Sequence, residues 1–311
     1  MRNLDFSTKI ASKRFNNPIF TASGCASSGQ ELSQFFQLSE IGAVVTKSIM
    51  SKARSGRITP RMAETPSGML NSIGLQGPGI DVFLERDIPW LVENNAKVIV
   101  SIAGENVDEY GVLARRLRSV QGISAIEVNI SCPNVENRGQ VFACHPDTAT
   151  AAIESVRRNI GGELPIIAKL SPDVTDIVEI AGAVINAGVD GLALINTLLG
   201  MVIDLNTMQP KLGGKTGGLS GPAIRPVAVR AIYQVHQAFP NTPIVGMGGV
   251  SNGRDALELV LAGASAISVG TATFGDPTAV IKIRDELQEL LLERGFSNFQ
   301  DAIGYAHRQG S

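Results

Sequence analysis

The stretch PIIAKLSPDVTDIVEIAGAVINAGVDGLALINT, residues 165–197, contains one full unit of the pattern that decides the fold. It opens on an apolar run, Pro165–Leu170, broken only by Lys169. A helix-like segment at 176–188 follows and stops at Gly188, and a second apolar run, Gly191–Ile195, comes next. Glycine suits the C-terminal end of a helix. Runs that stay apolar rather than alternating are what strands buried on both faces require. Six more such runs lie at Pro18–Ala22, Ala43–Thr46, Lys97–Ile102, Ala125–Ile130, Pro243–Met247 and Ala266–Val269, making eight. Helix-like stretches at 108–120, 145–160 (Asp147 as its cap) and 252–263 fall between them. Eight strands alternating with helices predict a (β/α)₈ TIM barrel, one domain over residues 1–311. The competing architecture is a doubly wound open sheet.

What stands at the strand ends carries the functional reading. In order, the runs finish at Ser23-Gly24, Lys47-Ser48, Ser101 to Ala103-Gly104, Asn129 with Ser131-Cys132, Lys169 with Ser171, Asn196-Thr197, Gly248-Gly249 and Gly270-Thr271. In a barrel these ends surround a single mouth, where active sites are built. Lysine at two buried strand ends is costly without an anionic partner, so the mouth is expected to hold something anionic. The glycine-rich last two ends, GMGGV and SVGTATF, match a phosphate site after strands seven and eight. No Gly-x-Gly-x-x-Gly dinucleotide fingerprint is present. Two long connections, about 49–95 and 198–222, follow strands and are expected to be mouth-side insertions.

Cys132, in VNISCPNVENRGQ (128–140), has three readings: packed hydrophobe, metal ligand or reactive group. With three His in the chain and only Cys144-His145 nearby, a metal site is disfavoured. The polar Ser-Cys-Pro-Asn setting disfavours simple packing, and a thiol can act as general base. Asn71, Asn129, Asn134 and Asn196 offer paired donors and acceptors to a planar ligand edge. Lys169 is placed to stabilise negative charge on an electron-accepting cofactor, and Lys47 to neutralise a carboxylate.

A net charge of −2, one Trp and three Tyr give no reason to expect nucleic acid or an anionic membrane as partner. No window is long and apolar enough to span a bilayer, and the N-terminus does not read as a signal peptide. Three cysteines are not a disulfide framework, and a reducing cytoplasm is expected.

NISCPNV, ETPSGMLNSIGLQGPG, TGGLSGPAI, GMGGV and VGTA together resemble the dihydroorotate dehydrogenase family, specifically the class 1B catalytic subunits, essentially end to end. The resemblance implies a barrel holding one FMN and oxidising (S)-dihydroorotate to orotate in UMP biosynthesis. It implies that Cys132 removes the C5 proton while the C6 hydride passes to flavin N5. It places the substrate on Lys47, Asn71, Ser72, Ile73, Gly74, Leu75, Asn129, Asn134, Asn196 and Thr197. It places FMN on Ser23, Lys47, Ser48, Ser101, Asn129, Lys169, Ile195, Gly221, Gly248, Gly249, Gly270 and Thr271.

Class 1B members are also similar in forming a homodimer of this chain. That dimer pairs with subunits carrying FAD and a [2Fe-2S] cluster, giving a heterotetramer that reduces NAD⁺. Departures from the family pattern stand at Ala26–Ser28, at Arg57-Ile58 in place of Asn-Pro, and at Ser101, where class 1B often has Asn. The alternatives are a class 1A-like enzyme acting alone with fumarate, a flavin-free Schiff-base aldolase barrel using Lys169, and a non-catalytic scaffold.

Overall fold

The computed structural model describes residues 4–131, 145–162 and 164–308. All eight apolar runs form strands: β1 (Ile19–Thr21), β2 (Val44–Val45), β3 (Val98–Ile102), β4 (Ile123–Asn129), β5 (Ile166–Lys169), β6 (Gly191–Leu194), β7 (Ile244–Gly246) and β8 (Ala266–Val269). They pair in parallel in the order β1-β8-β7-β6-β5-β4-β3-β2. The two outer strands then meet through a parallel bridge between Phe20 and Ala43, where Thr21 N–H donates to the Ala43 carbonyl at 3.1 Å. This closes the sheet into a (β/α)₈ barrel and removes the open-sheet alternative.

The continuous apolar runs follow from two cores. Alternate residues, among them Val98, Val100, Ile126, Val128 and Ile166, face outward onto helix residues such as Leu113, Leu117, Ile153 and Val156. The others, including Phe20, Val45, Ile99, Ala125, Ile167, Ala193, Val245 and Ala266, fill the barrel. An N-terminal hairpin, Thr8–Ile10 with Lys13–Phe15, completes that inner core with Ile10 and Phe15, sealing the N-terminal end of the barrel.

The helices start where local chemistry sets them. Asn106, Asp176 and Asn252 cap Val107–Leu117, Ile177–Asn186 and Gly253–Ala262, each accepting backbone N–H bonds of the first turn. The helix Pro146–Ile160 differs from expectation. Pro146 occupies its first position, so the cap is His145, and Asp147 lies inside the first turn without a capping bond.

The long connections are not loops throughout. Met62–Thr65 and Gly68–Asn71 from the first, with Leu198–Met201 and Thr216–Ser220 from the second, form a four-stranded antiparallel sheet at the mouth. Its central pairing sets Asn71 opposite Gly218 and Met69 opposite Ser220. Among the described residues, no helix is long and apolar enough to cross a membrane.

Candidate active site at the C-terminal mouth

A cavity of about 380 Å³ opens between the C-terminal strand ends and the mouth sheet. That size suits a small-molecule or cofactor site. A larger cleft of about 580 Å³ lies at the opposite end, beside Lys9, His236, Gln300 and His307. It sits against the strand starts Pro243 and Ser265, so among the described residues no barrel strand delivers a C-terminal end to it.

The mouth cavity is lined by Ser23, Lys47, Ser48, Asn71, Ile73, Leu75, Asn129, Lys169, Ile195, Asn196, Thr197, Gly221, Gly248, Gly249, Gly270 and Thr271 of the residues singled out from sequence. Three others stand outside that lining. Ser101 is fully buried one layer below, against Ser48. Ser72 accepts from Arg57 Nη1 at 3.1 Å. Gly74 backs onto the same arginine, whose Cγ lies 2.7 Å from where a Cβ would stand. Arg57 also donates its N–H to the Ile73 carbonyl at 3.0 Å. It thereby fixes the segment that carries Asn71 to Leu75. Cys132 and Asn134 lie outside the described residues.

Strand geometry explains why the polar groups converge. Parallel neighbours in register point the same way, and Ser101 pairs with Glu127, Asn129 with Lys169, and Lys169 with the inward Ala193. These side chains therefore enter the barrel above its apolar filling. One chain of hydrogen bonds connects them. Asn196 Nδ2 donates to Ser131 Oγ (2.6 Å), which donates to Asn129 Oδ1 (3.0 Å). Asn129 Nδ2 donates to Ser48 Oγ at 3.0 Å, and Ser101 Oγ donates to Glu127 Oε1 at 2.9 Å. Ser101 has a single hydroxyl proton, so Ser48 must be the donor across their 2.9 Å contact. Lys169 Nζ lies 3.8 Å from Glu127 Oε1 and donates to Ser23 Oγ at 2.9 Å.

Beyond the second lysine, the wall changes character. Gly249 (φ +74°) approaches the Gly221 carbonyl so closely that a Cβ would lie 2.9 Å from its oxygen. Only glycine allows both that backbone angle and that approach. Asp255 accepts from Ser251 N–H at 2.9 Å and pairs with Arg225, anchoring this loop to the following helix. Thr271 Oγ1 donates to Ser220 Oγ at 2.8 Å, tying the end of β8 to the mouth sheet.

Several lining groups were not singled out from sequence: Cys25, Met69, Ser220, Met247, Ser268 and Phe274. Ser268 carried a signal, since it is the polar residue inside the run AISV. Its buried hydroxyl has no partner among the described residues, an orphaned donor facing the cavity. Burial pushes the Cys25 thiol up, against the pull of Lys169 and Lys47.

The donor set suits a flavin mononucleotide. Glycine backbone and Thr271 offer a phosphate cradle, Ser268 an unsatisfied hydroxyl, and Lys169 a buried cation for an electron-poor ring. The dihydroorotate dehydrogenase family model matches residues 5–291. The chain belongs to the dihydroorotate dehydrogenase family.

Among relatives, a protein of Desulforamulus reducens is 49% identical over 98% of this chain and 99% of its own length. One of Desulforudis audaxviator is 49% identical over 97% of each, and one of Bacillus cereus 46% over 94% of each. All three are named the catalytic subunit of dihydroorotate dehydrogenase B (NAD(+)). Asn129 to Ser131, which open the stretch NISCPNV, sit at the mouth end of β4, and Ser131 is the last described residue before Cys132.

Proposed function

We propose that this chain is an FMN-binding catalytic subunit that oxidises (S)-dihydroorotate to orotate in pyrimidine biosynthesis. The observation carrying the reading is the cavity itself, where two lysines and three asparagines meet a glycine-rich wall in a chain that the family model matches over residues 5–291. FMN, when bound, supplies the acceptor for the hydride leaving substrate C6. Ser23, Lys47, Ser48, Asn129, Lys169, Ile195, Gly221, Gly248, Gly249, Gly270 and Thr271 hold it, with Ser101 acting from beneath Ser48. Lys169 offsets negative charge on its ring.

Asn71, Asn196 and Thr197 read the pyrimidine edge together with Asn129 and Asn134, and Lys47 neutralises the substrate carboxylate. Backbone groups of Ile73 and Leu75 complete the pocket, with Ser72 and Gly74 behind them. The Asn196–Ser131–Asn129 chain fixes which amide atoms are left to a ligand, because Asn129 Oδ1 is already engaged. Cys132, peptide-bonded to Ser131, takes the C5 proton as general base. We assign the chain to a homodimer that passes electrons to NAD⁺ through a partner subunit carrying FAD and [2Fe-2S]. Its own three cysteines cannot furnish a four-thiolate cluster.

The test is to purify the chain alone, record its visible spectrum, and assay dihydroorotate with NAD⁺, fumarate and a quinone separately. A yellow protein that reduces fumarate unaided points to a class 1A-like enzyme. A colourless protein trapped by borohydride on a carbonyl substrate points to the aldolase. Cys132→Ala should abolish turnover while FMN stays bound, and Cys132→Ser should keep only weak activity near neutral pH. Full activity of Cys132→Ala would sink the assignment of the base.

A further inference from the structure

Among the described residues, Glu127 is the one inward-facing acid of the polar layer, and no role proposed above uses it. It is 2% exposed, stands below the cavity rather than on its wall, and lies on β4 two residues before Asn129. Barrel interiors are ordinarily filled by branched apolar side chains, as Ile167, its register partner on β5, shows. A carboxylate there carries a large desolvation cost unless a cation and hydrogen bonds compensate it. Both are present: Lys169 Nζ at 3.8 Å and the Ser101 hydroxyl at 2.9 Å, on the same atom, Oε1.

The two partners lead to opposite sides of the cavity floor. Through Ser101 and Ser48 the carboxylate reaches Asn129. Through Lys169 it reaches Ser23. An ammonium has three donors, and among the described residues Ser23 Oγ is its one acceptor within hydrogen-bond distance. The ion pair at 3.8 Å is too long to consume a second. The carboxylate thus compensates the charge of Lys169 from below, while leaving N–H groups of the ammonium to whatever fills the cavity.

We propose that Glu127 is a positioning residue that sets how strongly Lys169 acts on the bound flavin. It moderates the cation, and so limits the preference of the site for two-electron-reduced FMN over oxidised FMN. The idea rests on the reading of the cavity as an FMN site. Among the described residues, the other charged or titratable groups near Lys169 are Lys47 and the Cys25 thiol, and neither supplies a negative charge at neutral pH.

The experiment measures FMN affinity of the apoprotein by fluorescence quenching, and the two-electron midpoint potential of the reconstituted protein, for wild type, Glu127→Gln, Glu127→Asp and Lys169→Gln. Glu127→Gln keeps the shape and the acceptor for Ser101 but removes the charge. Preference for reduced FMN should rise about tenfold, a potential about 30 mV more positive. Glu127→Asp keeps the charge and should stay within about twofold of wild type. Lys169→Gln should move the potential the other way. An unchanged potential in Glu127→Gln, or a shift in the same direction as Lys169→Gln, overturns the proposal and leaves Glu127 a scaffold for the lysine. If wild-type apoprotein takes up no FMN, the reading of the cavity fails and the proposal with it.

Discussion

Gly218 is the sharpest test of the mouth sheet as the roof of the site. A Cβ placed on Gly218 would overlap Thr197 Oγ1 and lie 2.6 Å from Thr197 Cβ. Ordinary carbon contacts begin about an ångström further out, near 3.5 Å, so something must move. Thr197 cannot swing aside cheaply. It is β-branched, and its N–H is held by Asn196 Oδ1 at 2.8 Å. Gly218 is held in turn, paired opposite Asn71 and accepting from its side-chain amide at 3.3 Å. Gly218→Ala should therefore displace Thr197 by about an ångström, together with the Asn71 or Asn196 groups beside it.

Overpacking of this kind costs about 1–3 kcal/mol. Unfolding entropy is about 2.1 cal/mol/K per residue, and with 311 residues this gives about 0.65 kcal/mol/K. The melting temperature should thus fall by only about 2–5 °C. Misplacing a substrate-positioning group by an ångström costs about 100-fold in rate, or about 2.7 kcal/mol of transition-state stabilisation. Stopped-flow reduction of the bound flavin by dihydroorotate should show that loss in kcat/KM. Gly200→Ala is the control in the same sheet, since its Cβ would meet the tip of Leu70 at 3.1 Å and Leu219 Cβ at an ordinary 3.8 Å, and it should retain near wild-type rates. If Gly218→Ala reacts within threefold of wild type, Thr197 is not held against the substrate and the geometry argued here is wrong.

Phe15→Ala should cost about 3–5 kcal/mol, because Phe15 is fully buried and packs on Phe20 with ring centroids 4.9 Å apart; melting should fall about 5–8 °C while FMN binding is unchanged. His236 has its pKa lowered by burial first, then by His307 and Arg308, so the folded state resists its protonation. Acidification through the ordinary histidine value near 6.5 should therefore destabilise the protein, and the loss of melting temperature from pH 7.5 to 5.5 should shrink in His236→Gln. An equal loss in both proteins would exclude that histidine as the cause. Cys25, pushed up by burial, should remain a thiol at pH 8; peptide mapping after iodoacetamide should show it modified far more slowly than a free cysteine, with rapid labelling counting against the buried geometry.

Much of this protein was legible along the chain because the relevant forces are local. A strand buried on both faces must be apolar throughout, so eight such runs identified eight barrel strands, and a polar residue closing a strand had to stand at the mouth. Asn106, Asp176 and Asn252 were not picked out as caps from the sequence, although each bonds backbone only two or three residues away. His145 was missed as a cap because Pro146 shifts the start of its helix by fixing backbone geometry, which outweighed the better capping chemistry of Asp147.

The tertiary structure decided what depends on distant partners. Asn71 and Gly218 are 147 residues apart, and glycine-rich segments with no alternation give no sign that they will pair into a roof. The N-terminal hairpin was not picked out from the sequence, yet Ile10 and Phe15 seal the barrel from the end opposite the site. Glu127 is a single acid inside an apolar strand, and its meaning waits on two neighbouring strands. Register between β3, β4 and β5 is what brings Ser101 and Lys169 to the same carboxylate oxygen. The sequence alone marked many of the residues that face the mouth, but not Cys25, Met69, Ser220, Met247, Ser268 or Phe274, and it also marked Ser72, Gly74 and Ser101, which stand outside the lining. Only closure of the barrel decided which of them act on one another, because charge and hydrogen bonding depend on separation in space rather than along the chain.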